Sequence, residues 1–256
     1  GSRPTRFRPT GIKQCMNINR TLPPERPRRQ GTYAEEIGRV FFDAYLRHAD
    51  FAMDMHGWSG HSLSLVWSHD AALARGFGLP WHMVYDSISP DGACLGNAAV
   101  RVGADLVECE LSPQNQLDVS MVNHGAQGIL NCLAIKGMLD VKVVHPEQQY
   151  EFDPEHEEID LKTPGEGLLV PDRVKGDWVR KGERVLRVLS LETLKPVYEV
   201  RAPKDCLVFN IGGIAWGEDM QMNYVVYPGQ TVGLLKVPDR IIRYDADDRP
   251  VITPVG

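Results

Sequence analysis

Phe51-Ala52-Met53-Asp54-Met55-His56-Gly57-Trp58-Ser59-Gly60-His61 decides the reading of this chain. An apolar run from Phe51 to Met55 ends on His56 and opens into a turn bounded by Gly57 and Gly60. A buried strand of an α/β sheet delivers a polar side chain to the rim in this way, where ligands bind. Residues two apart on a strand share a face, so Asp54 points the same way as His56. A carboxylate beside an imidazole orients a metal-bound or catalytic histidine. A strand-end histidine taken alone also fits a plain hydrogen-bonded residue.

Upstream, Thr32 resembles an N-cap, with Glu35 three residues later completing a capping box. Ile37, Val40, Phe41, Ala44 and Tyr45 recur at helical spacing, predicting an amphipathic helix that buries them and ends near His48. A helix running into an apolar strand is half of a parallel βαβ unit. Residues 1–31 have loop composition and contain Met16-Asn17-Ile18-Asn19-Arg20.

Downstream, residues 62–80 show no clear period. Trp81 to Tyr85 reads as a short strand, and residues 86–103 as a Gly-, Ser- and Ala-rich loop with a short helix. Ala104 to Leu111 reads as a strand placing Glu108 and Glu110 on one face and Val107, Cys109 and Leu111 on the other. An exposed edge and a catalytic pair both explain two acids there. From Val119 to Leu139 a helix is expected to bury Val122, Ala126, Ile129, Leu130, Leu133 and Ala134.

Residues 145–164 are acidic and contain proline, which reads as a solvated linker. Beyond Gly165 only short strands and turns follow, among them Leu168 to Val170, Val185 to Leu189, Leu207 to Ile211 and Val232 to Leu235. Gly176 to Glu183 resembles the turn of biotinyl/lipoyl-like barrels. Ser190 to Pro196 resembles their carrier hairpin, but its longer spacing from the glycine turn makes Lys195 a surface lysine.

The 256 residues carry a net charge of −6, which gives no general attraction to nucleic acid or anionic membrane. No apolar run approaches a membrane span. Five scattered cysteines without CxxC spacing argue against a zinc ribbon and for a reducing, cytoplasmic setting.

Together, Thr5-Arg6-Phe7, Asn17-Ile18-Asn19-Arg20, Asp54-Met55-His56-Gly57, Glu110-Leu111-Ser112 and the β-rich tail resemble the succinylglutamate desuccinylase/aspartoacylase family of zinc carboxypeptidase-like deacylases. The resemblance implies an α/β fold: a carboxypeptidase-like mixed or parallel sheet with helices on both faces. A small C-terminal all-β, barrel-sandwich-like domain would follow, divided as 1–150 and 151–256. It implies one zinc ion with His56 as a ligand, and Glu110 as the group that activates water and protonates the leaving amine, with Glu108 as the alternative. Arg20, with Asn19 and Asn17, would hold the substrate carboxylate, and Arg6 would polarise the scissile carbonyl. The family's other two ligands form a His-x-x-Glu segment that this chain lacks, so the resemblance implies that they, with the first strands and helix, lie before Gly1. The expected function is hydrolysis of the amide bond of an N-acyl amino acid or similar small carboxylate, with a homo-oligomer left open. The alternative is a metal-free, non-catalytic relative that binds a small carboxylate or a protein partner.

Overall fold

In the computed structural model the described residues are 18, 21–22, 32–57, 60, 62–85, 94–113, 117–212 and 225–255. Helix α1 (Tyr33–Ala44) begins at the expected capping box. The Glu35 amide donates to Thr32 Oγ1 at 3.3 Å and the Thr32 amide to Glu35 Oε2 at 2.6 Å. A 3-10 turn (Leu46–His48) then hands the chain to β1 (Phe51–His56). Next come β2 (Leu65–Ser68), α2 (Ala71–Gly76) capped by Asp70, β3 (Trp81–Val84), α3 (Leu95–Arg101), β4 (Asp105–Glu110) and α4 (Val119–Ile135) capped by Asp118.

The remaining strands are β5 (Gln148–Phe152), β6 (Glu158–Lys162), β7 (Gly167–Pro171), β8 (Trp178–Val179), β9 (Arg184–Leu189), β10 (Pro196–Arg201), β11 (Cys206–Ile211), β12 (Val225–Val226), β13 (Thr231–Lys236), β14 (Arg240–Tyr244) and β15 (Pro250–Pro254). A seven-stranded mixed sheet has the order β1-β4-β2-β3-β5-β14-β15. Its β1–β4, β2–β3 and β3–β5 pairs are parallel, and β2 runs antiparallel to β4. The last two strands return to this sheet after the β-rich segment, β14 pairing with β5.

Strand β1 shows why both faces are covered. Phe51 and Met53 join Leu73 and Phe77 at α2 and Cys132 and Ile135 of α4. Ala52 points the other way, toward Phe42 of α1, Leu46, and Ala98 and Ala99 of α3. Two four-stranded sheets, β10-β9-β7-β12 and β6-β13-β11-β8, share one core that includes Val179, Val185, Val188, Val208 and Leu235.

Three expectations are corrected. Residues 145–164 are no linker: β5 lies inside the large sheet between β3 and β14, and β6 pairs with β13. Its buried polar residues disguised it. Gln149 donates to the carbonyls of Arg75 and Leu79, and Glu151 is paired with arginines, so the strand is buried without an apolar pattern.

The stripes on α1 and α4 also face the wrong way. Val40 is 57% exposed and Tyr45 68%, whereas Gly38 and Arg39 are buried. On α4, Val122 is 53% exposed, and the buried positions are Gly125, Gly128, Asn131 and Cys132. Glycine lets a helix backbone sit directly on its neighbour, so close approach rather than side-chain size selects the buried face. Asn131 is compatible with burial because its amide bonds the main chain of Val144 at both ends, at 2.8 and 3.0 Å. A Cβ added at Gly128 would lie 2.5 Å from the Phe77 ring. Gly128→Ala is therefore expected to lower the urea midpoint. Overpacking costs about 1–3 kcal/mol, which exceeds the ~1 kcal/mol that alanine gains over glycine inside a helix. An unchanged or raised midpoint would show that α4 shifts freely.

Candidate active site

Strands β1 and β4 run parallel in register, His56 opposite Glu110 and Asp54 opposite Glu108. Period-two alternation puts all four on one face, as two adjacent pairs near the C-terminal ends of the strands. The distance between His56 Nε2 and Asp54 Oδ1 is 2.9 Å, and Asp54 is buried. The hydrogen bond to Asp54 holds the His56 pKa above its ordinary value against the opposing effect of burial, helped by the charges of Asp54, Glu110 and Glu108. A histidine oriented by a carboxylate is suited to bind a cation through its other ring nitrogen.

The two glutamates differ in environment. Antiparallel β2 brings Trp67 beside Glu108 and Leu65 beside Glu110. Trp67 Nε1 donates to Glu108 Oε2 at 2.8 Å, and α3 presses on the same carboxylate, since a Cβ at Gly96 would lie 2.6 Å from Glu108 Oε1. Glu110 has no such donor: its Oε2 is buried and lacks a hydrogen-bond partner among the described residues. Burial pushes its pKa up to about 7, with His56 pulling down and Asp54 and Glu108 adding upward pressure. A carboxylate titrating near neutrality can both take and return a proton.

Of the residues expected at a site, His56 and Glu110 therefore stand side by side. Arg6, Asn17, Asn19 and Arg20 lie outside the described residues. Among the described residues no group of three or more His, Cys, Asp or Glu side chains is arranged to hold a metal ion. Catalytic zinc takes three protein ligands, so these residues alone do not complete such a site. Among the described residues no helix is long and apolar enough to cross a membrane.

Sequence reasoning missed the supporting contacts. Trp67 sits in a stretch without periodicity. The β-rich segment also reaches the loop after β1: the Leu63 amide donates to Phe209 O at 2.9 Å and Asn210 Nδ2 to Ser62 Oγ at 2.7 Å. No local signal marks Asn210, because its partner is 148 residues away.

No family model and no curated protein matches the chain. Solved structures do. The apo structure of the ectoine utilization protein EutE (DoeB) from Ruegeria pomeroyi is 23% identical over 90% of this chain and 73% of its own, with a TM-score of 0.64. A succinylglutamate desuccinylase/aspartoacylase from Rhodobacter sphaeroides is 23% identical over 86% of this chain and 67% of its own, with a TM-score of 0.61. A succinylglutamate desuccinylase from a Silicibacter species is 21% identical over 86% of this chain and 67% of its own, with a TM-score of 0.63. The chain thus has the fold of succinylglutamate desuccinylase/aspartoacylase proteins.

Proposed function

We propose that this chain belongs to a hydrolase that cleaves the amide bond of an N-acyl amino acid or similar small carboxylate. One observation carries the reading: His56 and Glu110 are in-register neighbours, and the Glu110 carboxyl is half-buried, has an Oε2 without a hydrogen-bond partner among the described residues, and is poised near neutral pH. Glu110 takes a proton from the attacking water and returns it to the leaving nitrogen. Asp54 holds the His56 ring in place. Arg20, with Asn19 and Asn17, grips the substrate carboxylate in the bidentate manner open to a guanidinium, and Arg6 stabilises negative charge developing on the scissile carbonyl. The reading includes one zinc ion, for which His56 is the ligand offered by the described residues; zinc makes water acidic enough to serve at neutral pH. Names of the structural neighbours, desuccinylase and aspartoacylase, and a product-bound form of EutE support a small acylated substrate.

The incomplete metal set among the described residues favours one second reading, a non-catalytic carboxylate binder. Release of free amine from a panel of N-acetyl and N-succinyl amino acids, with added zinc and with chelator, separates the two. Release abolished by chelator is expected. No release from any substrate, together with carboxylate binding that ignores chelator, establishes the binder.

A further inference from the structure

The turn between β7 and β8 aims one side chain out of the β-rich segment. Its first residues are held on β9, the Asp172 amide donating to Val185 O at 2.9 Å, and its last on β11, the Gly176 amide donating to Val208 O at 2.8 Å and the Val208 amide to Asp177 O at 2.9 Å. Asp177 Oδ2 accepts from the Val174 amide at 3.0 Å. Gly176 has φ +94°, a left-handed conformation that suits glycine, and a Cβ there would crowd Trp81 at 3.2 Å. The fixed turn sends Lys175 Nζ to three oxygens: Gly60 O at 2.8 Å, Ser62 O at 2.9 Å and Ser112 Oγ at 3.1 Å.

An ammonium has three N–H donors, and here each meets an acceptor. Lys175 forms no ion pair among the described residues, and burial holds its pKa below the ordinary lysine value despite the charge of Asp118. Its acceptors belong to two loops. Gly60 and Ser62 lie on the loop that leaves β1 after His56, and Ser112 lies two residues beyond Glu110. Where the strands end, the Leu111 amide still donates to His56 O at 2.7 Å and the Ser112 amide to Ser64 Oγ at 3.0 Å.

We infer that Lys175 is a positioning residue for the β1–β4 site: its ammonium ties the two loops together and so holds His56 and Glu110 at a constant separation. The β-rich segment is then part of the site's frame. This rests on the proposed role of the His56–Glu110 pair, but its test does not need turnover.

Amide hydrogen exchange of the whole chain is compared with that of Lys175→Met, which keeps the apolar stem and removes the donors. Exchange at Leu111, Ser112 and Leu63 is expected to quicken at least tenfold, with Gly176 and Val208 remaining protected. Lys175→Arg, which restores a cation and donors, is expected to recover most of the protection at Leu111 and Ser112. Unchanged exchange at those two amides overturns the inference. Parallel loss at Gly176 and Val208 also overturns it, because Lys175 then serves only the turn. An arginine variant as labile as the methionine variant does the same. Because exchange is read without substrate, failed hydrolysis counts against the proposed function and leaves this result standing.

Discussion

Glu110→Gln is expected to slow amide hydrolysis steeply while making the fold more stable above neutral pH. A positioned general base contributes about 10²–10⁴-fold in rate, so kcat should fall by that factor with KM little changed. In the native chain kcat/KM should rise with pH as the Glu110 carboxyl ionises. The stability effect has the opposite sign because the folded carboxyl titrates above its ordinary value of 4.5, at about 7. The fold favours the protonated form, so the Glu110 contribution is fully present below 4.5 and is lost as pH climbs to about 7. Above that, an ionised carboxylate sits where its Oε2 finds no hydrogen bond among the described residues. Each pKa unit corresponds to ~1.4 kcal/mol, and screening by solvent at this partly exposed site reduces the effect. Glutamine should therefore gain about 1–2 kcal/mol at pH 8 and nothing near pH 4. Urea unfolding at the two pH values measures this. An inactive variant that is less stable at pH 8 would mean that Glu110 is structural.

The second large effect lies under the sheet. Glu151 on β5 is 1% exposed. Its Oε2 accepts from Arg75 Nε at 2.7 Å and lies 2.9 Å from His82 Nε2, and its Oε1 accepts from Arg240 Nη1 at 2.8 Å. Arg240 also grips Asp153 at 2.6 and 2.9 Å. This cluster joins α2, β3, β5 and β14. Removing one member of a buried charge group strands the others, which costs about 3–5 kcal/mol, and Glu151→Ala should lower the urea midpoint accordingly. A loss under ~1 kcal/mol, the usual worth of an exposed pair, would show that water replaces the carboxylate.

The acid limb of stability follows from the same cluster. Burial alone would raise the Glu151 pKa, but His82 and Arg75 pull it down to about 2, below the ordinary 4.5. Its stabilisation is complete above 4.5 and disappears as pH falls to about 2. His82 is fully buried, which lowers its pKa below 6.5 against the pull of Glu151. It therefore resists protonation in the fold and weakens the fold as pH drops below 6.5. Glu151→Ala should flatten the part of the limb below 4.5.

Legibility differed sharply between elements. The Thr32–Glu35 capping box and β1 rest on local spacing, and both were read from the sequence. Strand β5 was not, because two of its three buried positions are Gln149 and Glu151 and only partners far along the chain make their burial tolerable. On α1 and α4 the larger apolar residues suggested the inward face, yet the glycines lie there, in contact with Thr21 and Phe77.

The sequence by itself determined which residues are available to the site and how they alternate. Asp54 with His56, and Glu108 with Glu110, share faces because strand side chains repeat every two residues. Only the tertiary structure decided that the two pairs meet, since strand register is set by packing between distant segments. It also separated the acids, giving Glu108 the Trp67 donor and leaving Glu110 Oε2 without one among the described residues. Burial and hydrogen bonding are properties of neighbours in space, and no local pattern encodes which neighbour arrives.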